Sequence, residues 1–208
     1  PRQSWFVVFA KAKTESSGTK RTNFAEVTTV QEVAGEWTVT FDPQWGGPER
    51  VKFPKLEDWT SRPEEGIRCY SGIATYRTTF DFPSTIADPH SKHYLDLGVV
   101  RNVARVRLNG RDLGVAWTAP WRVEITGALQ PGANELEIEV ANLWPNRLIG
   151  DAALPKEQRR TVTNVRTYDT MASGTYGCHV CEQRKKSGQP ARLLPSGLLG
   201  PVRVMREE

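Results

Sequence analysis

The most constraining feature of this chain is an alternation of period two running through residues 103–145, interrupted only at points where the chain must reverse. Ala104, Val106 and Leu108 point one way while Arg105 and Arg107 point the other, the pattern of a strand with one buried face. Asn109-Gly110 follows, a dipeptide suited to the positive φ angles of a two-residue hairpin turn, so residues 111–115 are expected to return antiparallel. A second hairpin runs out over residues 121–125, turns through Gly127, Pro131 and Gly132, and comes back over residues 135–140. There Leu136, Ile138 and Val140 face inward against Glu135, Glu137 and Glu139. Two hairpins in succession point to an all-β domain.

The same alternation recurs on both sides. Trp37, Val39 and Phe41 interleave with Glu36, Thr38 and Thr40, and this stretch, residues 35–41, is read as the first strand of the main sandwich. Residues 51–53 make a brief strand. Over residues 66–82, Tyr76, Thr78, Phe80 and Phe82 share one face and Arg77, Thr79 and Asp81 the other, a long strand. Residues 94–97 add another, and residues 198–205 close the chain as a single last strand with Val202 and Val204 in alternation. No helix of any length is expected. Residues 148–189 are polar and aperiodic, a stretch too long for an idle connection. Residues 1–30, with an apolar run at 4–9 and a polar linker at 11–23, read as a strand and linker of a preceding domain, and residues 31–208 as the sandwich.

Composition removes several functional classes. Hydrophobic residues make up 38% of 208 and mean hydropathy is -0.51, so no membrane span is expected. The net charge of +4 is spread along the chain, and the basic groups Arg159-Arg160 and Arg184-Lys185-Lys186 sit in loop-like sequence, which argues against a nucleic-acid partner. Cys178-His179-Val180-Cys181 has half of a zinc-site spacing but lacks the other ligand pair, and reads as a disulfide or two free thiols.

Catalytic signatures are missing as well. Cleaving a glycosidic bond needs two carboxyl groups facing each other across the substrate. Asp42, Glu49, Asp58, Glu64, Glu65 and Asp151 all fall in loops with nothing to mark a pair, and no Gly-x-Ser-x-Gly or His-Glu-x-x-His occurs. No catalytic residue is assigned, and the isolated chain is not read as an enzyme. The seven tryptophans are more telling, since flat aromatic rings stack on pyranose rings while neighbouring amides and charged groups bond the hydroxyls. About two-thirds of them are expected in the core. The carbohydrate-binding candidates are Trp117 and Trp121, flanking one loop, and Asn142, Trp144, Asn146, Arg147 and Asp151, just after the last regular strand. Two readings stand side by side for the latter group: sugar contact, or pinning of the crossover with Arg147 and Asp151 paired to each other. Trp45 and Trp59 are secondary candidates, expected to pack under their loops.

These residues also carry a resemblance. Strand, Asn-Gly turn, short strand, Trp-Pro-Trp loop, strand and Pro-Gly-Ala-Asn turn are similar to the sugar-binding jelly roll of family-two-type glycoside hydrolases, a galactose-binding-like β-sandwich. The run from Asn142 to Asp151 and the ending from Leu194 to Val202 resemble the C-terminal part of large bacterial α-L-rhamnosidases of glycoside hydrolase family 106. The resemblance implies a non-catalytic accessory domain of a secreted or periplasmic enzyme, with carbohydrate and the parent's catalytic domain as partners. It also implies three roles: binding plant or pectic polysaccharide, serving as a purely structural inter-domain module, or lending residues such as Arg147 to Asp151 to the parent's active site. Many such sandwiches hold a structural calcium, but no Asp-x-Asp-x-Asp run assigns ligands here, and no other cofactor is expected.

Overall fold

The computed structural model describes residues 26–84, 91–162 and 193–207. The strands are β1 (Val27–Glu32), β2 (Trp37–Thr40), β3 (Val51–Phe53), β4 (Ile73–Phe82), β5 (His93–Asp96), β6 (Val99–Arg101), β7 (Val103–Leu108), β8 (Arg111–Ala116), β9 (Arg122–Glu124), β10 (Gly132–Ala141), β11 (Gly197–Gly200) and β12 (Arg203–Glu207). A six-stranded sheet runs β3-β2-β4-β10-β7-β8, a four-stranded sheet runs β1-β12-β5-β9, and β11 pairs with β6; the strand pairs are antiparallel. The all-β sandwich expected from the alternation is the observed fold.

One hydrophobic core lies between the sheets. Val39, Tyr76, Ile138 and Val106 come to it from the six-stranded sheet and Leu95, Val123 and Val204 from the four-stranded one, all buried. The glutamates and arginines that alternate with these residues are thereby turned to the outer face of the larger sheet. Near the middle of the core, Trp59 Nε1 donates to the Tyr76 hydroxyl at 2.5 Å, and the Leu198 amide donates to the same oxygen at 3.2 Å. Burial pushes the Tyr76 phenol up, so it stays neutral at any physiological pH.

The Asn-Gly turn behaves as its chemistry requires. Asn109 has φ 52° and Gly110 φ 76°, the left-handed geometry of the tight hairpin. The Asn109 side chain also joins the two hairpins: its amide donates to Ala128 O and Asn134 Oδ1, both at 2.8 Å, and its oxygen accepts the Glu135 amide at 2.8 Å. Gly98 is required for a different reason. Its φ is 65°, and a Cβ there would stand 2.4 Å from the Gly200 carbonyl, where the two backbones meet.

Several expectations are corrected. The sandwich starts before residue 31, because β1 pairs with β12 from Val27↔Glu207 to Glu32↔Arg203 and so crosses the expected boundary. The closing segment is two strands, β11 and β12, separated at Pro201, which has no amide hydrogen to continue a ladder. Helices are present: α1 (Glu65–Arg68) is one turn, and α2 (Pro145–Ala152) covers the start of the stretch expected to be irregular. Residues 4–9 and 11–23, the Cys178–Cys181 motif, the basic triplet at 184–186 and most of 148–189 lie outside the described residues. Among the described residues no helix is long and apolar enough to cross a membrane.

Candidate functional site

The site expected from sequence lies where β10 leaves the six-stranded sheet and the chain turns into α2. Pro145 opens the helix, its fixed φ suited to a first turn in which its missing N–H is no loss. Asn142 stands just before that turn and ties three segments together. Its oxygen accepts the Gly72 amide at 3.0 Å, and its NH2 donates to Tyr70 O at 2.9 Å and to Ser196 Oγ at 3.0 Å. One turn on, Asn146 donates to Leu194 O at 2.7 Å and Ser196 Oγ at 3.0 Å while accepting the Leu194 amide at 2.7 Å.

Arg147 and Asp151 are i and i+4 on one face of α2 and form a buried ion pair, Nε to Oδ1, at 3.0 Å. Arg147 Nη1 also donates to Trp45 O at 3.3 Å, and its amide donates to Ser71 Oγ at 3.0 Å. The other oxygen of Asp151 accepts the Arg160 amide at 3.0 Å, the Thr161 amide at 2.7 Å and the Thr161 hydroxyl at 2.6 Å. Gly150 lets the helix press on Cys69, where a Cβ would come within 2.7 Å of the Cys69 Cβ. Asn146, Arg147 and Asp151 are 1%, 6% and 2% exposed.

These three, expected as sugar ligands, are withdrawn from the surface. Their polar atoms are turned inward, most of them bonded to Trp45, Ser71, Arg160, Thr161, Leu194 and Ser196, while Arg147 Nε and Asp151 Oδ1 face only each other. The pairing of Arg147 with Asp151 named in the second reading, pinning of the crossover, is formed. Ser71 and Ser196, both buried, complete the cluster and were missed. Their signal was a small hydroxyl beside glycine in Tyr70-Ser71-Gly72 and Pro195-Ser196-Gly197, where a short side chain can reach backbone held close by a turn.

The tryptophans divide differently. Trp37 and Trp59 are buried, which removes Trp59 from the candidates, and Trp45 and Trp121 pack half-buried against the core. Trp121 Nε1 donates to Asn102 O at 3.3 Å. Trp144 is 49% exposed and stands edge-on to Trp45, ring centroids 5.0 Å apart at 75°. Trp117 is 73% exposed. The register places the two exposed rings at one end of the sheet: Ala104 opposes Ala116, just before Trp117, and Val103 opposes Ala141, just before Asn142. The backbones carrying them are two strands apart, or roughly 10 Å. Ile73, Val115 and Leu143 are exposed near the same edge.

The carboxylates suit structure better than acid catalysis. Asp42 and Asp58 cap short 3-10 turns through the Gln44 and Thr60 amides. Glu64 is held below the usual carboxylate range by its bonds to Arg62, against the upward pull of burial, whereas a general acid needs a raised value. Among the described residues no group of three or more His, Cys, Asp or Glu is placed to hold a metal.

A two-sheet antiparallel sandwich with exposed aromatics at one end and a tightly bonded crossover beside them defines a galactose-binding-like module. Residues 64–174 match the family described as glycosyl hydrolase 2 galactose-binding domain-like, and the chain belongs to it. A putative beta-glucuronidase of Formosa agariphila is 36% identical over 181 residues, which are 83% of this chain and 15% of that protein. The structure of a rhamnosidase from Novosphingobium sp. PP1Y matches with 36% identity and a TM-score of 0.71, covering 88% of this chain and 15% of that one. A Ruminococcus gnavus beta-glucuronidase shares the fold at 18% identity and a TM-score of 0.55, covering 90% of this chain and 30% of that one. The chain thus spans about one-seventh of the length of the first two relatives.

Proposed function

We propose that this chain is the carbohydrate-binding accessory module of a larger, secreted or periplasmic bacterial glycoside hydrolase resembling the α-L-rhamnosidases. Its ligand is a plant or pectic polysaccharide, and its other partner is the parent's catalytic domain. The observation that carries this reading is Trp117, a large aromatic ring 73% exposed beside a rigid sheet end. With Trp144, Val115 and Leu143 exposed near the same end, the ring belongs to a group of apolar side chains of the kind that marks a binding surface. Trp144, braced by Trp45, supplies a second platform, and ring stacking on the apolar face of a sugar gives each a role. Trp121, half-buried, and Asn142, engaged on both sides of its amide, position the loops that carry them.

A second reading is favoured by a separate observation. Ile73, Val115 and Leu143, all more than half exposed, sit near the same end, as they would on a module that packs against the parent's catalytic domain without touching sugar. Titration of tryptophan fluorescence with pectic and plant-gum oligosaccharides, rhamnose-containing ones included, separates the two. A saturable shift that disappears in Trp117→Ala is expected. A folded protein that gives no shift with any sugar would exclude the platform and leave the docking reading.

A further inference from the structure

Away from the tryptophans, the outer face of the six-stranded sheet carries a groove of about 540 Å³, a volume suited to a small ligand or a short chain. Its floor is one row of the register. Thr38 of β2 opposes Arg77 of β4, Arg77 opposes Glu137 of β10, and Glu137 opposes Arg107 of β7. Four strands side by side span roughly 14 Å, so the groove is elongated across the sheet. Glu36 and Thr78 stand at one end, where the Thr78 hydroxyl donates to Glu36 O at 3.1 Å. Thr79 and Glu135, opposite each other on β4 and β10, add a second row, and Gly110, in the β7–β8 turn, completes the lining.

The floor is held in place by its own charges. Arg77 donates to Glu137 Oε2 through Nε at 2.8 Å and approaches it with Nη2 at 2.7 Å, and Arg107 Nη1 reaches Glu137 Oε1 at 2.5 Å and Glu139 Oε1 at 3.0 Å. Glu137 and Arg107 are only 25% and 28% exposed, so the row is partly shielded from solvent. A guanidinium carries five N–H donors and a carboxylate about four acceptor positions, more than these bonds use. The row therefore offers fixed donors and fixed acceptors in alternation.

That alternation selects its ligand. An anion would meet the carboxylates of Glu36, Glu135 and Glu137, and a cation would meet Arg77 and Arg107. A hydroxyl is served by both, accepting from a guanidinium while donating to the neighbouring carboxylate, with charge-assisted bonds in each direction. We infer that this groove binds a neutral oligosaccharide chain laid across β2, β4, β10 and β7, at a second site separate from the tryptophans. The inference shares with the proposed function the class of ligand and takes its place from different residues. No tryptophan lines the groove, so fluorescence does not report on it.

The test is backbone amide NMR of this 208-residue chain, titrated with galactopentaose and, separately, with a galacturonate oligomer of matched length. We expect saturable shifts at Thr38, Arg77, Arg107, Gly110 and Glu137 with the neutral sugar, and at least tenfold weaker binding of the uronate. Arg107→Ala and Glu137→Gln are each expected to weaken the groove site about tenfold. Circular dichroism checks their folding, with Arg77→Gln as the replacement should either fail it. Shifts confined to Trp117, Trp121 and Trp144 would overturn the groove while leaving the proposed function intact. Shifts confined to the groove and unmoved by Trp117→Ala would uphold it and remove the tryptophan platform. Equal or tighter uronate binding, or no shift with either sugar, would overturn the inference.

Discussion

The turn from β10 into α2 and the loop from β8 into β9 leave the six-stranded sheet at the same end, and both are rich in the residue types that recognise sugars. They use them in opposite ways. In the first, Asn142, Asn146, Arg147 and Asp151 bond to Tyr70, Leu194, Ser196, Trp45, Arg160 and Thr161, and Asn146, Arg147 and Asp151 are almost wholly withdrawn from water. In the second, Trp117 stands in solvent with its loop fixed beneath it by Trp121. A polar side chain available to a ligand is one the fold has left unengaged, and composition alone does not distinguish it from one the fold has consumed. The contrast predicts that mutations in the first region act on stability and mutations in the second on binding.

The largest expected effect tests the first half. Asp151→Ala leaves Arg147 buried without its partner and strips three hydrogen bonds from the 160–161 segment. Breaking a buried pair in this way costs about 3–5 kcal/mol, to be read as a lowered urea midpoint. Trp117→Ala, at an exposed position, should fall within about 0.5 kcal/mol of the parent. Equal losses in the two variants would dissolve the comparison. Asn146→Ala sharpens it at a smaller scale: the Leu194 amide loses its side-chain acceptor while the carbonyl keeps the Ser196 hydroxyl, and with Leu194 partly exposed the loss is about 1 kcal/mol. A folded Asn146→Ala that keeps its urea midpoint and loses sugar affinity would return that amide to the binding site.

The second half is read by calorimetry with the oligosaccharide that saturates the fluorescence. Trp117→Ala should lose about 1–3 kcal/mol of binding, by analogy with stacked rings elsewhere. Trp144→Ala should lose less, because half of that ring is already covered by its neighbours, including Trp45. A larger loss at Trp144 than at Trp117 would move the platform to the Trp45–Trp144 pair.

Sequence made the strands legible because one buried face imposes a period of two, visible wherever a strand lies in the sandwich proper, as β4, β7 and β10 do. It failed where that period is weak or where burial comes from far away. The strand β1 is half-exposed along much of its length and shows no clean alternation in Val-Thr-Thr-Val-Gln-Glu. The helix α2 is eight residues long and buries Asn146, Arg147 and Asp151, which read as loop polarity until Leu194 and Ser196, 48 and 50 positions away, are brought against Asn146, and Trp45, 102 positions away, against Arg147. The tryptophans were separable only in part. Trp59 and Trp117 are each followed by a threonine and, within four residues, a proline, and it is the Tyr76 hydroxyl beneath Trp59 that makes one of them core.

The smallest effect concerns the charged row on the outer sheet face, where the same logic gives a third case: polar groups engaged with each other yet still facing solvent. Burial pulls the Glu137 carboxyl upward, but its bonds to Arg107 and Arg77 win and hold it below the ordinary glutamate value of 4.5. Asp112, bonded to Arg105 and to the Gly114 amide, is held down to about 2. A carboxylate whose value is lower in the folded chain binds fewer protons there than in the unfolded chain, so it stabilises the fold above the unfolded value. That contribution is lost as pH falls through the folded value, since both states are then protonated. The arginines stay charged throughout and add no opposing step. The stability difference between the parent and Glu137→Gln should therefore be constant near neutral pH, begin to shrink as pH drops below 4.5, and vanish once Glu137 is protonated in the fold. Cross-strand ion pairs of this kind are worth about 0.2–1 kcal/mol each and are reduced by salt. A difference that grew on acidification, or that ignored added salt, would mean that Glu137 acts through packing and not through its charge. The row would then lose the fixed donors and acceptors on which hydroxyl recognition depends.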